Sequence, residues 1–350
     1  MQSGKEIREA IEARRDLATA IVQHQWKVRP DLERRYGPSG FSKCLEDAHF
    51  HLQYLAEAIE ASEPALFVDY VAWAKVMLAS RNVPSEDLAN TLQVLRDVLV
   101  KQLPNEMHDL VCSFVNRALE RLPQYPSLIP SLFQEGEPLV ALGSSYLHAL
   151  LRYERHTAVK LVEDAVDGGT PIKDIYCHVF ERCQREIGRL WQMNKVTVAQ
   201  EHYCTASTQL VMALLYPRIF AGRRERVGSV VAACVPGELH EIGARILCDL
   251  LEMEGWDTIY LGASVPVAGL LETVKARNPD VLAISASMTF HIKPVRELIS
   301  AVRNSSNAKL PIAVGGYAFQ VAPNLWRDVG ADGFAEDARQ AIELVKRLRS

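Results

Sequence analysis

What the chain lacks narrows it first. Its seven cysteines, Cys44, Cys112, Cys177, Cys183, Cys204, Cys234 and Cys248, contain no CxxC pair. An odd, scattered set argues against a disulfide framework or a structural zinc site and fits reduced thiols in a cytoplasm. No apolar stretch approaches the roughly 18 residues of a membrane span, and the N-terminus has no signal-peptide core, so no membrane partner is expected. No basic block interrupts a net charge of −4, which removes the electrostatic footprint of a nucleic-acid binder. Internal repeats and low-complexity tracts are also missing.

A length of 350 residues leaves room for two or three domains. Residues 1–130 read as helices. Phe41, Leu45, Ala48, Leu52, Leu55 and Ile59 keep a helical period, as do Leu88, Leu92, Leu95, Leu99 and Leu103. The stretch from Leu66 to Met77 is apolar on nearly every side and must be covered all round. A proline cluster, Pro123, Pro126, Pro130 and Pro138, marks a linker. Residues 140–220 read as about four helices, broken at Gly168-Gly169 and near Lys195. Near Gly228 the texture changes. Strand candidates Val230–Val235, Thr258–Leu261, Val281–Ile284 and Ile312–Val314 alternate with helix signals, the first helix running from His240 to Glu254. That alternation implies a parallel sheet with right-handed crossovers. The expected fold is therefore multidomain, α and α/β: a helical N-terminal domain over 1–130, a four-helix-bundle cap over 135–224, and a flavodoxin-like, Rossmann-type domain over 225–350.

Open parallel sheets bind ligands beyond the carboxyl ends of their strands. The loop there reads Val235-Pro236-Gly237-Glu238-Leu239-His240-Glu241-Ile242-Gly243. An exposed imidazole at His240 can coordinate a metal. Glu238, two residues earlier, can take the proton of the other ring nitrogen, which fixes the tautomer and raises ligand basicity. Gly243 leaves room for a bulky group near the backbone. Glu238-x-His240-x-x-Gly243 resembles the DxHxxG signature of cobalamin-binding domains. In that family the histidine replaces the cofactor's own base beneath cobalt, and the displaced tail threads into the sheet domain. Ser285 matches the serine of the family's SxL segment, and Gly315-Gly316 its paired glycines. Tyr260-Leu261-Gly262 and Gly330-Ala331-Asp332-Gly333 fit its framing. The chain departs from the pattern twice, with Glu238 for aspartate and Ser287 for leucine. By the resemblance, His240 is the lower cobalt ligand, and Glu238, Gly243, Ser285, Ser287, Gly315 and Gly316 are cofactor contacts.

Trp191 and the Glu201-His202 pair carry no chemistry by themselves. Their Trp-x9-Glu-His spacing resembles the four-helix cap of light-sensing, adenosylcobalamin-dependent repressors. There the same residues surround the upper adenosyl group, which implies that Trp191, Glu201 and His202 cover the upper ligand here. Where the repressors carry a cobalt-capturing histidine this chain has Gln192, with His148, His156 and His178 as stand-ins in the cap.

No basic recognition helix precedes the cap. In domain order the chain resembles the photocobilins, which join the cobalamin photoreceptor unit to a helical domain that binds biliverdin. Propionates want Arg or Lys, pyrrole nitrogens a carboxylate and flat rings aromatic walls. Arg34, Arg35, Asp47, His49, Phe50, His51, Tyr54, Tyr70 and Trp73 are the candidates, with Cys44 nearby for a thioether. The main expectation is thus a non-enzymatic cytoplasmic light sensor holding adenosylcobalamin and biliverdin. Its output would pass through a homo-oligomer or an unnamed downstream protein. The alternative is a corrinoid protein that carries methyl groups for a methyltransferase system. A cobalamin-responsive adaptor without light chemistry is a third class.

Overall fold

The computed structural model describes residues 4–219 and 225–350. The boundary expected between 224 and 225 abuts residues 220–224, outside the described residues. Packing divides the chain into two units, Met1–Ser127 and Leu128–Ser350.

The first unit contains helices α1 (Gly4–Ala13), α2 (Leu17–Val28), α3 (Asp31–Tyr36), α4 (Gly40–Glu60), α5 (Pro64–Ala79), α6 (Ser85–Gln102) and α7 (His108–Arg121). The apolar periods read from the sequence become buried stripes: Ala48, Leu52, Leu55 and Ile59 on α4, and Leu88, Leu92, Leu95 and Leu99 on α6. Helix α5 opens with Pro64, whose missing N–H has no intrahelical partner to lose. Its apolar surface is covered inside its own unit, where Leu66, Phe67, Val71 and Ala74 are enclosed. Lys75, buried on the same helix, donates to the carbonyls of Leu122 and Tyr125 at 2.9 and 2.6 Å, which satisfies its charge and closes the unit.

The second unit begins with a helical cap of α8 (Val140–Leu151), α9 (Arg155–Asp167), α10 (Ile172–Ile175), α11 (Glu181–Gln192) and α12 (Val198–Ile219). A π-turn, Tyr176–Phe180, joins α10 to α11 in one continuous run. Gly169 and Asn194, both at positive φ, end helices where the sequence breaks were expected. The sheet follows: β1 (Ser229–Cys234), β2 (Asp257–Tyr260), β3 (Val281–Ser285), β4 (Ile312–Gly315) and β5 (Gly333–Ala335), all parallel, in the order β2-β1-β3-β4-β5. This is the flavodoxin-like order. Its helices are α13 (Ile242–Met253), α14 (Val267–Arg277), α15 (Ile292–Arg303), α16 (Tyr317–Val321), α17 (Leu325–Asp328) and α18 (Ala338–Arg349). Helix α13 starts two residues later than the periodicity predicts, because the His240 N–H is taken by Glu238 Oε1 at 2.8 Å and stays in the loop. Strand β5 has three residues and was not anticipated; it is too short for a period to register.

Cap and sheet share one apolar core, in which Tyr146, Tyr176 and Phe180 join Val230, Ile246 and Leu251. Polar contacts lock that seam. Buried Tyr176, on the π-turn, donates to Asp249 Oδ2 on α13 at 2.8 Å, and Lys173 reaches Glu254 at 3.1 Å.

Several of the bilin residues expected in the first unit are spent on its own packing, and others point away from any shared site. Arg35 binds Asp87 and Asp31. Tyr54 stacks on Tyr70 with ring centroids 3.8 Å apart. His49 and Phe50 face outward while His51 is buried, its Nδ1 2.7 Å from Tyr70 Oη. Burial raises the Cys44 thiol pKa, the opposite of what a thioether-forming nucleophile needs. Burial also lowers the His51 pKa from 6.5 to about 4, so its ring stays neutral in the fold. A base held neutral stabilises the fold fully above its unfolded pKa and loses that contribution as pH falls toward the folded value. The first unit should therefore lose about 3 kcal/mol of stability as pH drops from 6.5 to about 4. His51→Gln, which cannot titrate, should remove this component, as read from urea midpoints at neutral and acid pH.

Candidate functional site

The loop after β1 turns at Gly237, whose φ of +84° disfavours any side chain, and folds Glu238 back beneath it. Glu238 has no exposed surface. Its Oε1 accepts from the His240 backbone N–H at 2.8 Å and from His240 Nδ1 at 2.6 Å. Its Oε2 accepts from the Ser287 N–H at 2.5 Å, the Met288 N–H at 3.4 Å and His291 Nδ1 at 3.0 Å. Burial pushes this carboxyl up. The bonds from His240 and His291, with the charge on His240, outweigh it and hold the group well below the usual carboxylate range. The hydrogen bond that His240 donates to Glu238 in turn raises the His240 pKa, against the opposing effect of burial. The carboxylate fixes the proton on Nδ1 and leaves Nε2 without a hydrogen-bond partner among the described residues. The His240 side chain is 64% exposed, so that nitrogen is accessible.

His240 stands at the floor of a cavity of about 870 Å³ that also touches Gly243, Ser285, Ser287, Gly315 and Gly316. A Cβ on Gly243 would meet nothing within 4 Å. One on Gly316, at φ +108°, would lie 2.2 Å from the Ala286 carbonyl, so only glycine lets β4 end there. Between sheet and helices the cavity continues as a slot, and its origin is the register. Ala232, Ala283, Ala313 and Gly333 lie side by side across four strands. Cys234, Ser285, Gly315 and Ala335 form the next row on the same face. Small side chains in both rows leave room beneath α13 and α18.

The cap supplies the roof. Trp191, Glu201 and His202 border the same cavity, joined by Gly188 and Thr205. Glu201 Oε2 lies 2.6 Å from His202 Nδ1 and its Oε1 accepts from Thr205 at 3.0 Å. Glu241, next to His240, ties roof to floor: it accepts from Gln209 on α12 at 2.7 Å and from Tyr260 Oη at 2.8 Å. Gln192 is buried and does not reach the cavity. His148, His156 and His178 do not border it either. His178 Nε2 instead accepts from Arg339 at 2.8 Å. Three features escaped the sequence reading: His291, the Gln209–Glu241 link and the two rows of small residues. The rows left a signal, small residues at alternate positions in consecutive strands. His291 left none, because its partner is 53 positions away.

Among the described residues no three His, Cys, Asp or Glu side chains are arranged to hold a metal ion. A metal that met His240 would therefore have to bring its other donors with it, as a macrocycle does. A single oriented imidazole, a wide cavity and a narrow apolar slot fit a corrinoid with an extended tail.

The comparisons agree. A B12 binding domain model matches residues 228–343 and a second matches residues 143–216. Dimethylamine corrinoid protein 3 of Methanosarcina acetivorans is 25% identical over 202 residues, 57% of this chain and 93% of that protein. Dimethylamine corrinoid protein 3 of Methanosarcina mazei is 30% identical over 125 residues, 35% of this chain and 73% of that protein. The monomethylamine corrinoid protein of Methanosarcina barkeri superposes with a TM-score of 0.53 at 20% identity, over 60% of this chain and 99% of its own, a likeness of fold alone. These matches overturn the light-sensor expectation, with its adenosylcobalamin photolysis and biliverdin, and favour the corrinoid carrier given as its alternative.

Glu238 spans two loops with a side chain one methylene longer than that of aspartate. Glu238→Asp should break the contact to His240 or that to Ser287 and His291, costing about 1–3 kcal/mol in the cofactor-free protein. Urea unfolding of Glu238→Asp beside His240→Ala checks this; a stability equal to the parent chain counts against it.

Proposed function

The chain belongs to the family of B12-binding corrinoid proteins, and from that premise we propose that it carries methyl groups on a bound cobalamin for a methyltransferase system in a cytoplasm. The observation that carries this reading is the exposed His240 imidazole, held from behind by a buried carboxylate at the floor of the cavity. When bound, the corrinoid supplies a cobalt atom that takes up and gives up a methyl group. His240 would ligate it from below through Nε2, with Glu238 keeping the proton on Nδ1. Gly243 would make space at the ring edge. Ser285, Ser287, Gly315 and Gly316 would line the path of the tail into the slot.

Trp191, Glu201 and His202 would border the upper face and limit water there. His202 is 74% exposed and Val198, beside it, 50%, so the mouth of the cavity is open to an approaching enzyme. Making and breaking bonds to the methyl donor and acceptor belongs to such partner enzymes; this chain holds and presents. Within the two packed units we keep three functional parts: the helical region 1–130, the cap 135–224 and the corrinoid domain 225–350.

Hydroxocobalamin added to the cofactor-free protein should be taken up with the absorption bands of an imidazole-ligated corrinoid. His240→Ala should lose those bands, and Glu238→Ala should weaken uptake roughly 10–100-fold. After chemical reduction the loaded protein should accept a methyl group from methyl iodide and retain it. Uptake and bands indifferent to His240→Ala, or a loaded protein that takes no methyl group, would sink the proposal.

A further inference from the structure

Helix α11 has two working faces. Glu181, Gln184, Arg185, Gly188 and Trp191 recur at helical spacing and border the cavity from above. Arg182, Glu186 and Arg189 recur on the opposite face and bind the segment that leads into the cap. Glu186 is 3% exposed. Its Oε1 accepts from Ser131 Oγ at 2.9 Å and Arg189 Nη2 at 2.6 Å. Its Oε2 accepts from the Leu132 N–H at 3.0 Å and Arg189 Nε at 2.9 Å. Arg189 also donates to the Ile129 carbonyl at 2.7 Å. Farther along, Arg182 donates to the Pro138 carbonyl at 2.9 Å and pairs with Glu137 at 3.2 Å. Between these ties Phe133 lies against the backbone of α8, where a Cβ on Gly143 would come within 2.5 Å of its ring. Residues 129–138 therefore form a strap fastened along the back of α11.

The two ends of the roof are held differently. Upstream of α11, the π-turn is anchored to the sheet domain by Tyr176 and Asp249. The end that carries Trp191 runs into the turn at Asn194. Its back is held by the Glu186–Arg189 pair. Gly188, one turn before Trp191, is a mid-helix glycine with nothing within 4 Å of its missing Cβ, so it loosens the helix where the roof faces open space. A helix weakened there needs outside support to keep its ring over the cavity.

We propose that Glu186 and Arg189 are positioning residues for the upper face: by clamping Ile129–Leu132 to the back of α11 they hold Gly188 and Trp191 over the corrinoid. The inference rests on the corrinoid reading above. It assigns a role to charged residues that touch neither cofactor nor cavity, and it makes the chain that enters the cap part of the site's mechanics. A buried ion pair that also binds backbone from another segment resists sliding, because any shift strands a charge without its partners.

The test uses the full-length protein loaded with hydroxocobalamin and follows replacement of its upper ligand by cyanide. Arg189→Met keeps the aliphatic stem and removes the clamp. It should speed exchange severalfold and change Trp191 fluorescence, while the bands of lower imidazole ligation stay as in the parent. Ser131→Ala removes one donor of four and is mild enough to fold; its rate should fall between the two. Arg189→Lys should restore part of the slow exchange. Arg303→Met, which removes an ion pair to Asp332 away from the cavity, should leave the rate unchanged. Equal exchange rates in the parent, Ser131→Ala and Arg189→Met would overturn the clamp and leave the corrinoid reading standing, as would equal acceleration by Arg303→Met. Failure of the parent protein to take up hydroxocobalamin would overturn both.

Discussion

The site depends on one buried carboxylate. Glu238 lies in the loop after β1, yet two of its donors, the N–H groups of Ser287 and Met288, lie after β3, and a third, His291, directly precedes α15. Strands β1 and β3 are neighbours at the point where strand order reverses, the crevice in which this fold binds ligands. A carboxylate there with five donors around it cannot lose a proton acceptor role or a partner cheaply, because each buried N–H left unpaired costs free energy. The position of His240 is therefore set by a network that joins two loops, and the imidazole inherits its precision from that network.

Around this point the sheet contributes by what it omits. Across β1, β3, β4 and β5 the face beneath α13 and α18 carries alanine, glycine, serine and cysteine in two consecutive rows. A close-packed interior normally fills such space. The opposite face is built from Val231, Leu282, Ile284, Ile312 and Val314, which supply the burial that keeps the strands together. The face with the small rows still packs on its helices through Val230 and Val281, and the two rows are where it leaves room for a ligand. Gly316 extends the logic to the strand end, where any side chain would strike the Ala286 carbonyl.

Much of this was legible in the sequence, and the part that was not has a common cause. A helical period marks α4 and α6, an all-round apolar run marks α5, and short apolar runs mark four strands, while the cap reads as about four helices and the other helices of the first unit only as helical texture. The spacing from Glu238 to His240 is a contact within one loop, and the 2.6 Å bond confirms that geometry. Contacts between distant segments left no such trace. His291 reaches Glu238 across 53 positions and Gln209 reaches Glu241 across 32. The bilin expectation failed for a related reason. Arg35 and Asp87 lie 52 positions apart, so the sequence offered an unattached arginine where the fold supplies a paired one. His51 offered an open imidazole where α5 supplies Tyr70 as a cover.

The contrast between floor and roof bears on why a carrier reading suits the site better than a light sensor. A sensor that stores its signal in an upper ligand needs that ligand enclosed by contacts that its loss would collapse. Here the roof above His240 has a partly buried tryptophan and an exposed His202 at its rim. The polar groups that line it, Glu201, Thr205 and Gln184, are hydrogen-bonded to one another and do not await a ligand to satisfy them. Such a roof tolerates an upper ligand as small as a methyl group, and equally its absence, without leaving a buried polar atom stranded. The floor tolerates neither change nor movement, since Glu238 is fixed from two loops. A protein that must present the same atom to different enzymes needs that combination: a lower ligand that stays in place and an upper face that does not depend on what is bound there.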